Sequence, residues 1–258
     1  MVFVVAASLL VLFVVAPLAS LITRTGTSGI TAAFGDPEVR SSIAITFTAA
    51  LWATVLALFT GVPLAYLLAR HDFHGKRWLE GLVNLPIVVP HTAAGVALLT
   101  VFSRDAFAGR VFGSVGLDFT DALAGIVVGM LFVGLPFLVN GARQAFAAVD
   151  PELEQMAEVE GAAPWQVFGY VTLPLAWRGV ASGALMMWGR GISEFGAVVI
   201  LAYHPKILPV LVYERFSGFG INAAVPAATV LILVSLVVFI LLHTLVGVRR
   251  RRATRLGV

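Results

Sequence analysis

Arg190, Ser193 and Glu194 put a guanidinium, a hydroxyl and a carboxylate within five residues of an otherwise apolar stretch. Arg190 and Glu194 are spaced i, i+4, so on a helix they share one face and can pair. An ion among apolar residues needs such a partner. Two readings stay open: a neutralised pair that fixes helix packing, or a guanidinium and hydroxyl bordering a polar path with Glu194 positioning the arginine. A second constellation, Asn84-Leu85-Pro86-Ile87-Val88-Val89-Pro90-His91, sets two prolines, an amide and an imidazole inside another apolar run. Proline removes a backbone donor and bends a helix. Pro86, Pro90 and His91 therefore mark either a kinked packing helix or a cavity-lining bend, and Ala93, Ala94 and Gly95 beside them permit close helix approach. An intramembrane enzyme would need converging catalytic groups. His91 and the Ser193/Glu194 pair lie on different runs, no metal-ligand spacing appears, and the absence of cysteine excludes thiol chemistry.

A third group lies in the longest polar interval, at about 148–178. Asp150 is a good N-cap, Pro151 suits the first helical position, and Glu152 and Glu154 fall in the first turn, where the helix dipole favours negative charge. Gly161 is positioned to end this short helix and Pro164 to open a second. In the second, Trp165 and Phe168 are three apart and are expected on one face, with Pro174 stopping it before the next apolar run. Two capped helices joined at a glycine suit a protein partner. The acidic residues of the first disfavour a resting place on the negatively charged cytoplasmic leaflet.

The elements that position these residues follow from composition. Of 258 residues, 59% are hydrophobic and 12% charged, about half the charge of a soluble domain. Continuous apolar runs with no polar face belong in lipid, where only helices or closed barrels satisfy the backbone. Barrel strands would alternate over about ten residues, whereas these runs reach about 20 or more. The fold class is all-α integral membrane, with about six spans near 2–22, 42–69, 78–102, 121–147, 179–203 and 224–248. The first is kept as a span because no Lys or Arg precedes it, unlike a secretory leader. Loops carrying Arg70, Lys76, Arg77, Arg143, Arg178 and the tail Arg249 to Arg252 and Arg255 alternate with loops carrying Arg24, Arg40, Arg104, Arg110, Lys206 and Arg215. The first set is larger and more clustered, which places it, with both termini, in the cytoplasm. Glu80 is expected to pair with Arg77 or Lys76, and Asp118 or Asp121 to cap the fourth span. With basic residues flanking spans rather than forming a face, nucleic acid is not a partner. One domain, 1–258, is the economical reading.

The spacing from Gly161 through nine residues to Val171-x-Leu173-Pro174 resembles the cytoplasmic motif of binding-protein-dependent ABC importer permeases. That family usually has Glu-Ala-Ala six residues before the glycine; here stands Gln155-Met156-Ala157, and only Ala157 matches. Gly61-Val-Pro63-Leu-Ala65-Tyr66, Leu85-Pro86-Ile-Val-Val-Pro90-His91 and Gly191-Ile-Ser193-Glu194-Phe195-Gly196 resemble the molybdate/tungstate permease group. His91 and Tyr213-Glu214-Arg215-Phe216 are similar to its archaeal-type members. Sulfate permeases share the framework.

The resemblance implies a type I ABC importer permease in the plasma membrane. It implies a homodimer, two ATPase subunits binding ATP and Mg on the cytoplasmic face, and an extracytoplasmic oxyanion-binding protein. This chain itself would bind no cofactor and no metal. The loop residues Glu154, Ala157, Gly161, Ala162, Trp165, Phe168, Leu173 and Pro174 are then expected to couple to the ATPase. Pro86, Pro90, His91, Arg190, Ser193 and Glu194 are candidates for the anion pathway, and Gly183, Ala184 and Gly189 for the dimer face. A secondary ion-coupled carrier is the rival from another class, in which the structured loop has no role.

Overall fold

The computed structural model describes residues 1–253, with no strand among them. Twelve α-helices follow in order: α1 Val2–Gly35, α2 Pro37–Arg70, α3 Lys76–Val88, α4 His91–Phe102, α5 Phe107–Gly113, α6 Leu123–Ala147, α7 Pro151–Val159, α8 Pro164–Gln166, α9 Leu173–Ile192, α10 Gly196–Leu201, α11 Leu208–Phe219 and α12 Ile221–Ala253. A π-helical turn, Val167–Thr172, joins α8 to α9. By length and composition α1, α2, α6 and the Ile221–Ile240 part of α12 can cross a membrane. The α3–α4 pair, bent by 115°, passes the same test together, as a broken span or a re-entrant loop.

Two expected spans thus differ from continuous helices. The 78–102 run breaks at Val89 and Pro90, because Pro90 cannot supply the backbone donor that would carry α3 onward. The 179–203 run ends as α9 at Ile192 and resumes as α10 at Gly196, leaving Ser193 to Phe195 outside helix. The first run extends well past residue 22, with a kink at Gly26, whose φ of 62° suits glycine. Arg255 lies outside the described residues, as do the side chains of Arg249 to Arg252.

The chain forms two compact units. The larger comprises 47–204 with the described residues from 240 on. Its centre is the contact of α6 with α9, where a Cβ on Gly141 would come within 2.9 Å of the Gly183 Cα. Gly183 is therefore spent on packing inside the chain, which removes it from the candidates for a dimer face. Beside this contact, Val62, Ala65, Val139, Ala142, Phe146 and Val180 form a buried cluster.

The smaller unit comprises 1–46 with 205–239. Ala33, Val39, Leu208, Leu211, Ala227 and Val230 form its core. The Arg215 guanidinium donates to Asp36 Oδ2 at 2.6 Å and to Glu38 Oε2 at 3.2 Å. Lys206 Nζ donates to Glu38 Oε1 at 3.0 Å and to Glu214 Oε1 at 2.7 Å. The hydrogen bond from Arg215 holds the Asp36 carboxyl below its ordinary range, and the bond to Glu214 raises the Lys206 ammonium. A depressed carboxyl contributes stability above its unfolded pKa and loses it as pH falls through the folded value. Arg215→Gln should therefore loosen this unit at pH 7 by about 1 kcal/mol. The difference should shrink below pH 3.8, the unperturbed Asp value, as read by hydrogen exchange of the amides near Asp36.

Candidate functional site

The two chain breaks meet within the larger unit. A Cβ on Gly196 would lie 2.7 Å from the His91 Cβ, and one on Gly95 would lie 2.8 Å from the Ala197 carbonyl oxygen. Only glycine at both places lets the start of α4 and the start of α10 lie this close. That approach carries His91 to the end of α9. Arg190 Nη2 stands 2.8 Å from His91 Nε2 and donates to Glu194 Oε2 at 2.9 Å. Arg190 Nη1 donates to Ser193 Oγ at 3.2 Å, and Glu194 Oε1 accepts the Ala197 N–H at 2.8 Å. His91 Nδ1 is 3.5 Å from Glu194 Oε2. Arg190 Nη2 also stands 3.4 Å from His91 Nδ1, so the guanidinium lies against both ring nitrogens.

Exposure divides this centre. The Glu194 side chain is 1% exposed, Arg190 23% and His91 40%. The carboxylate is sealed on the inner side while the donors open outward. The Arg190 and Glu194 charges offset each other, yet a reachable guanidinium and the exposed Ser193 hydroxyl stand together. Such donors suit an oxyanion. The sequence-predicted His91, Arg190, Ser193 and Glu194 are thus brought together. Pro90 caps α4 beside them, whereas Pro86 is buried inside α3.

The second site is the loop. Asp150 Oδ1 accepts the Glu152 N–H at 3.0 Å, capping α7. At its far end Gly161 has φ +91°, Gly161 N–H donates to Glu158 O and Ala162 N–H to Ala157 O, each at 3.0 Å. This paired closure is the Schellman arrangement. Gln166 Oε1 then accepts the Ala163 N–H at 2.8 Å and starts α8. Glu154 does not face solvent. Its Oε1 accepts from Arg70 Nε at 3.1 Å, Arg70 Nη2 at 2.8 Å and Thr172 Oγ1 at 2.6 Å. Arg70 also donates to the Val149 carbonyl at 2.9 Å. One nearly buried ion pair therefore ties α7 to the end of α2 and to the π-helical turn.

The expectation that Trp165 and Phe168 share an exposed face is not met. Phe168 turns inward, its ring centroid 4.9 Å from Tyr66 and 5.9 Å from Phe146. The aromatic that accompanies exposed Trp165 is Tyr170, at 6.3 Å, itself 73% exposed. The wider i→i+5 turn accounts for the change of face. Pro174 does not stop a helix either. Leu173 N–H reaches Phe168 O across the π-helical turn, and Pro174 rides in the first turn of α9, where a missing donor costs nothing. Glu80 pairs with Arg143 of α6, while Lys76 pairs with Asp72. Asp121 accepts the His204 N–H and Asp118 pairs with Arg104, and neither caps α6.

The family described as binding-protein-dependent transport system inner membrane component matches residues 61–255. Proteins named molybdate/tungstate transport system permease from Pyrococcus furiosus and Thermococcus kodakarensis are 45% and 42% identical over 212 residues. Those alignments cover 82% of this chain and 80% and 81% of the relatives. A probable sulfate transport system permease of Zygnema circumcarinatum is 30% identical over 96% of this chain and 87% of its own. A solved bacterial ABC transporter involved in alginate import superposes with TM-score 0.75 at 17% identity, over 96% of this chain and 94% of that one. That last likeness is one of fold.

Removing one member of a buried pair strands the other charge. Arg70→Met should therefore destabilise the α7 region by about 3 kcal/mol, with faster hydrogen exchange at residues 150–172. Arg70→Met with Glu154→Gln should recover part of that loss. Unchanged exchange in the single variant would contradict the role given to the pair.

Proposed function

The chain belongs to the family of binding-protein-dependent transport system inner membrane components, and from that premise we propose that this ABC importer permease carries molybdate or tungstate. The observation that supports the cargo on the chain's own residues is the Arg190 centre. A doubly negative tetrahedral oxyanion needs charge-assisted donors on its way through, and it must not be held in a deep well. Arg190, already neutralised by Glu194, offers attraction without a permanent net charge. The relatives 42% and 45% identical are named for molybdate and tungstate. Sulfate is the second reading, supported by the framework shared with a sulfate permease at lower identity.

In this proposal one domain spans the chain. The crossings are α1, α2, α3 with α4, α6, α9 with α10, and α12, with both termini cytoplasmic. Two copies form the conduit, and an extracytoplasmic binding protein delivers the anion. Two ATPase subunits bind ATP and Mg, since this chain has no Gly-rich phosphate loop ending in Lys-Ser/Thr. The loop at 148–178 docks on those subunits through its exposed Trp165 and Tyr170. Glu154, Ala157, Gly161, Ala162, Leu173 and Pro174 shape the docking elbow, and Phe168 anchors it to the bundle. ATP-driven closure draws two such elbows together and opens the path outward; hydrolysis resets it inward.

Proteoliposomes holding the assembled complex test the cargo. Labelled tungstate uptake should require ATP and the binding protein, and excess molybdate should block it while sulfate does not. Uptake by the permease alone, or equal block by sulfate, would refute the reading. For the docking face, Trp165→Ala with Tyr170→Ala should preserve insertion but uncouple ATP hydrolysis from uptake. Phe168→Ala should instead lower thermal stability by about 3 kcal/mol. Full coupling in the double variant would remove the docking assignment.

A further inference from the structure

Four polar side chains away from Arg190 pair across α3 and α6. Asn140 Nδ2 donates to Asn84 Oδ1 at 2.6 Å, Asn84 Nδ2 donates to the Glu80 carbonyl at 2.7 Å, and Arg143 pairs with Glu80. Amides among apolar helices are costly unless bonded, and these two bond to each other across α3 and α6. Arg143 and Glu80 keep 33% and 28% of their side-chain surface exposed, so this pair is reachable.

The same face of α6 leads to the first centre. Val133, Pro136, Asn140 and Arg143 follow one another at helical spacing. Val133 packs with Ala94 and Ala197, alongside Val89 and Phe132. Ala197 is the residue whose N–H is bonded to Glu194. On α6 the rise from Val133 to Arg143 is about 15 Å. Two arginines, each restrained by a glutamate, therefore stand at two levels with an apolar layer between them.

We propose that Arg143, Asn140 and Asn84 form a second station for the transported tetrahedral oxyanion, on the cytoplasmic side of the apolar layer. This rests on the reading of the chain as an oxyanion permease with Arg190 in its path. At each station the anion competes with a resident carboxylate for the guanidinium, Glu194 at the first and Glu80 at the second. Each site is therefore shallow, and the anion leaves the first for the second when the apolar layer opens.

The cysteine-free sequence permits a direct test in the assembled transporter with cysteine-free partner subunits. Asn140→Cys is compared with Ser193→Cys using a sulfonate and a trimethylammonium methanethiosulfonate, with and without molybdate. If Asn140→Cys fails to assemble, Asn84→Cys replaces it. The sulfonate reagent should react at the second station about tenfold faster than the cation, because the guanidinium focuses anions. Molybdate should slow that reaction, and Arg143→Gln in the same background should abolish the charge preference. Protection of Ser193→Cys alone, or equal rates for both reagents at Asn140→Cys, would overturn the second station and leave the Arg190 pathway standing. Protection at neither cysteine would remove both.

Discussion

A carboxylate withdrawn almost completely from water must be given donors or it will not remain an anion. Glu194 is so withdrawn; Arg190 one turn earlier and the Ala197 N–H donate to it, and His91 from another broken helix stands 3.5 Å away. Satisfying this group requires the α9–α10 break, since a continuous helix would commit the Ala197 N–H to a backbone carbonyl. The α3–α4 break brings His91 beside it, since a chain turning at Pro90 places the start of α4 there. The two glycines at the contact, Gly95 and Gly196, remove the side chains that would hold the breaks apart. The bent spans and the charged trio are one arrangement.

The loop repeats this logic with a different outcome. Glu154 is nearly as buried, but its partners Arg70 and Thr172 come from elements that must move together if a push on α7 is to reach α2 and α9. Three donors on one oxygen make a joint that is costly to break and therefore stiff. Outside it, Trp165 and Tyr170 stay exposed. Stiffness lies inside the elbow and exposed aromatics outside it, an arrangement that fits the docking proposed for it.

Much of this was legible in the sequence, and the failures have definite causes. Apolar runs identify spans because lipid leaves few alternatives, and the caps of α7 follow from Asp150, Pro151 and Gly161 through local backbone chemistry alone. Pro86 and Pro90 announce one broken helix. The other break carries no proline, and Gly196 is the faint trace of it. Glu80 has Lys76 and Arg77 nearby in sequence but finds Arg143, because packing of α3 on α6 overrides helical spacing. Phe168 turns away from the face its spacing predicts because a period of 3.6 residues does not hold through a π-helical turn. The meeting of His91 with Arg190 is purely tertiary, and no spacing within either run contains it.

In the proposed function Glu194 holds Arg190 so that it can meet the anion, beyond any part in packing. Initial tungstate uptake by the assembled Arg190→Met, Glu194→Leu variant tests this most directly, since removing both charges spares the fold the penalty of a stranded ion. The proposed function predicts a correctly assembled complex whose uptake falls at least about tenfold, the loss expected for a charged hydrogen bond. Uptake at the parental rate in that complex would contradict it.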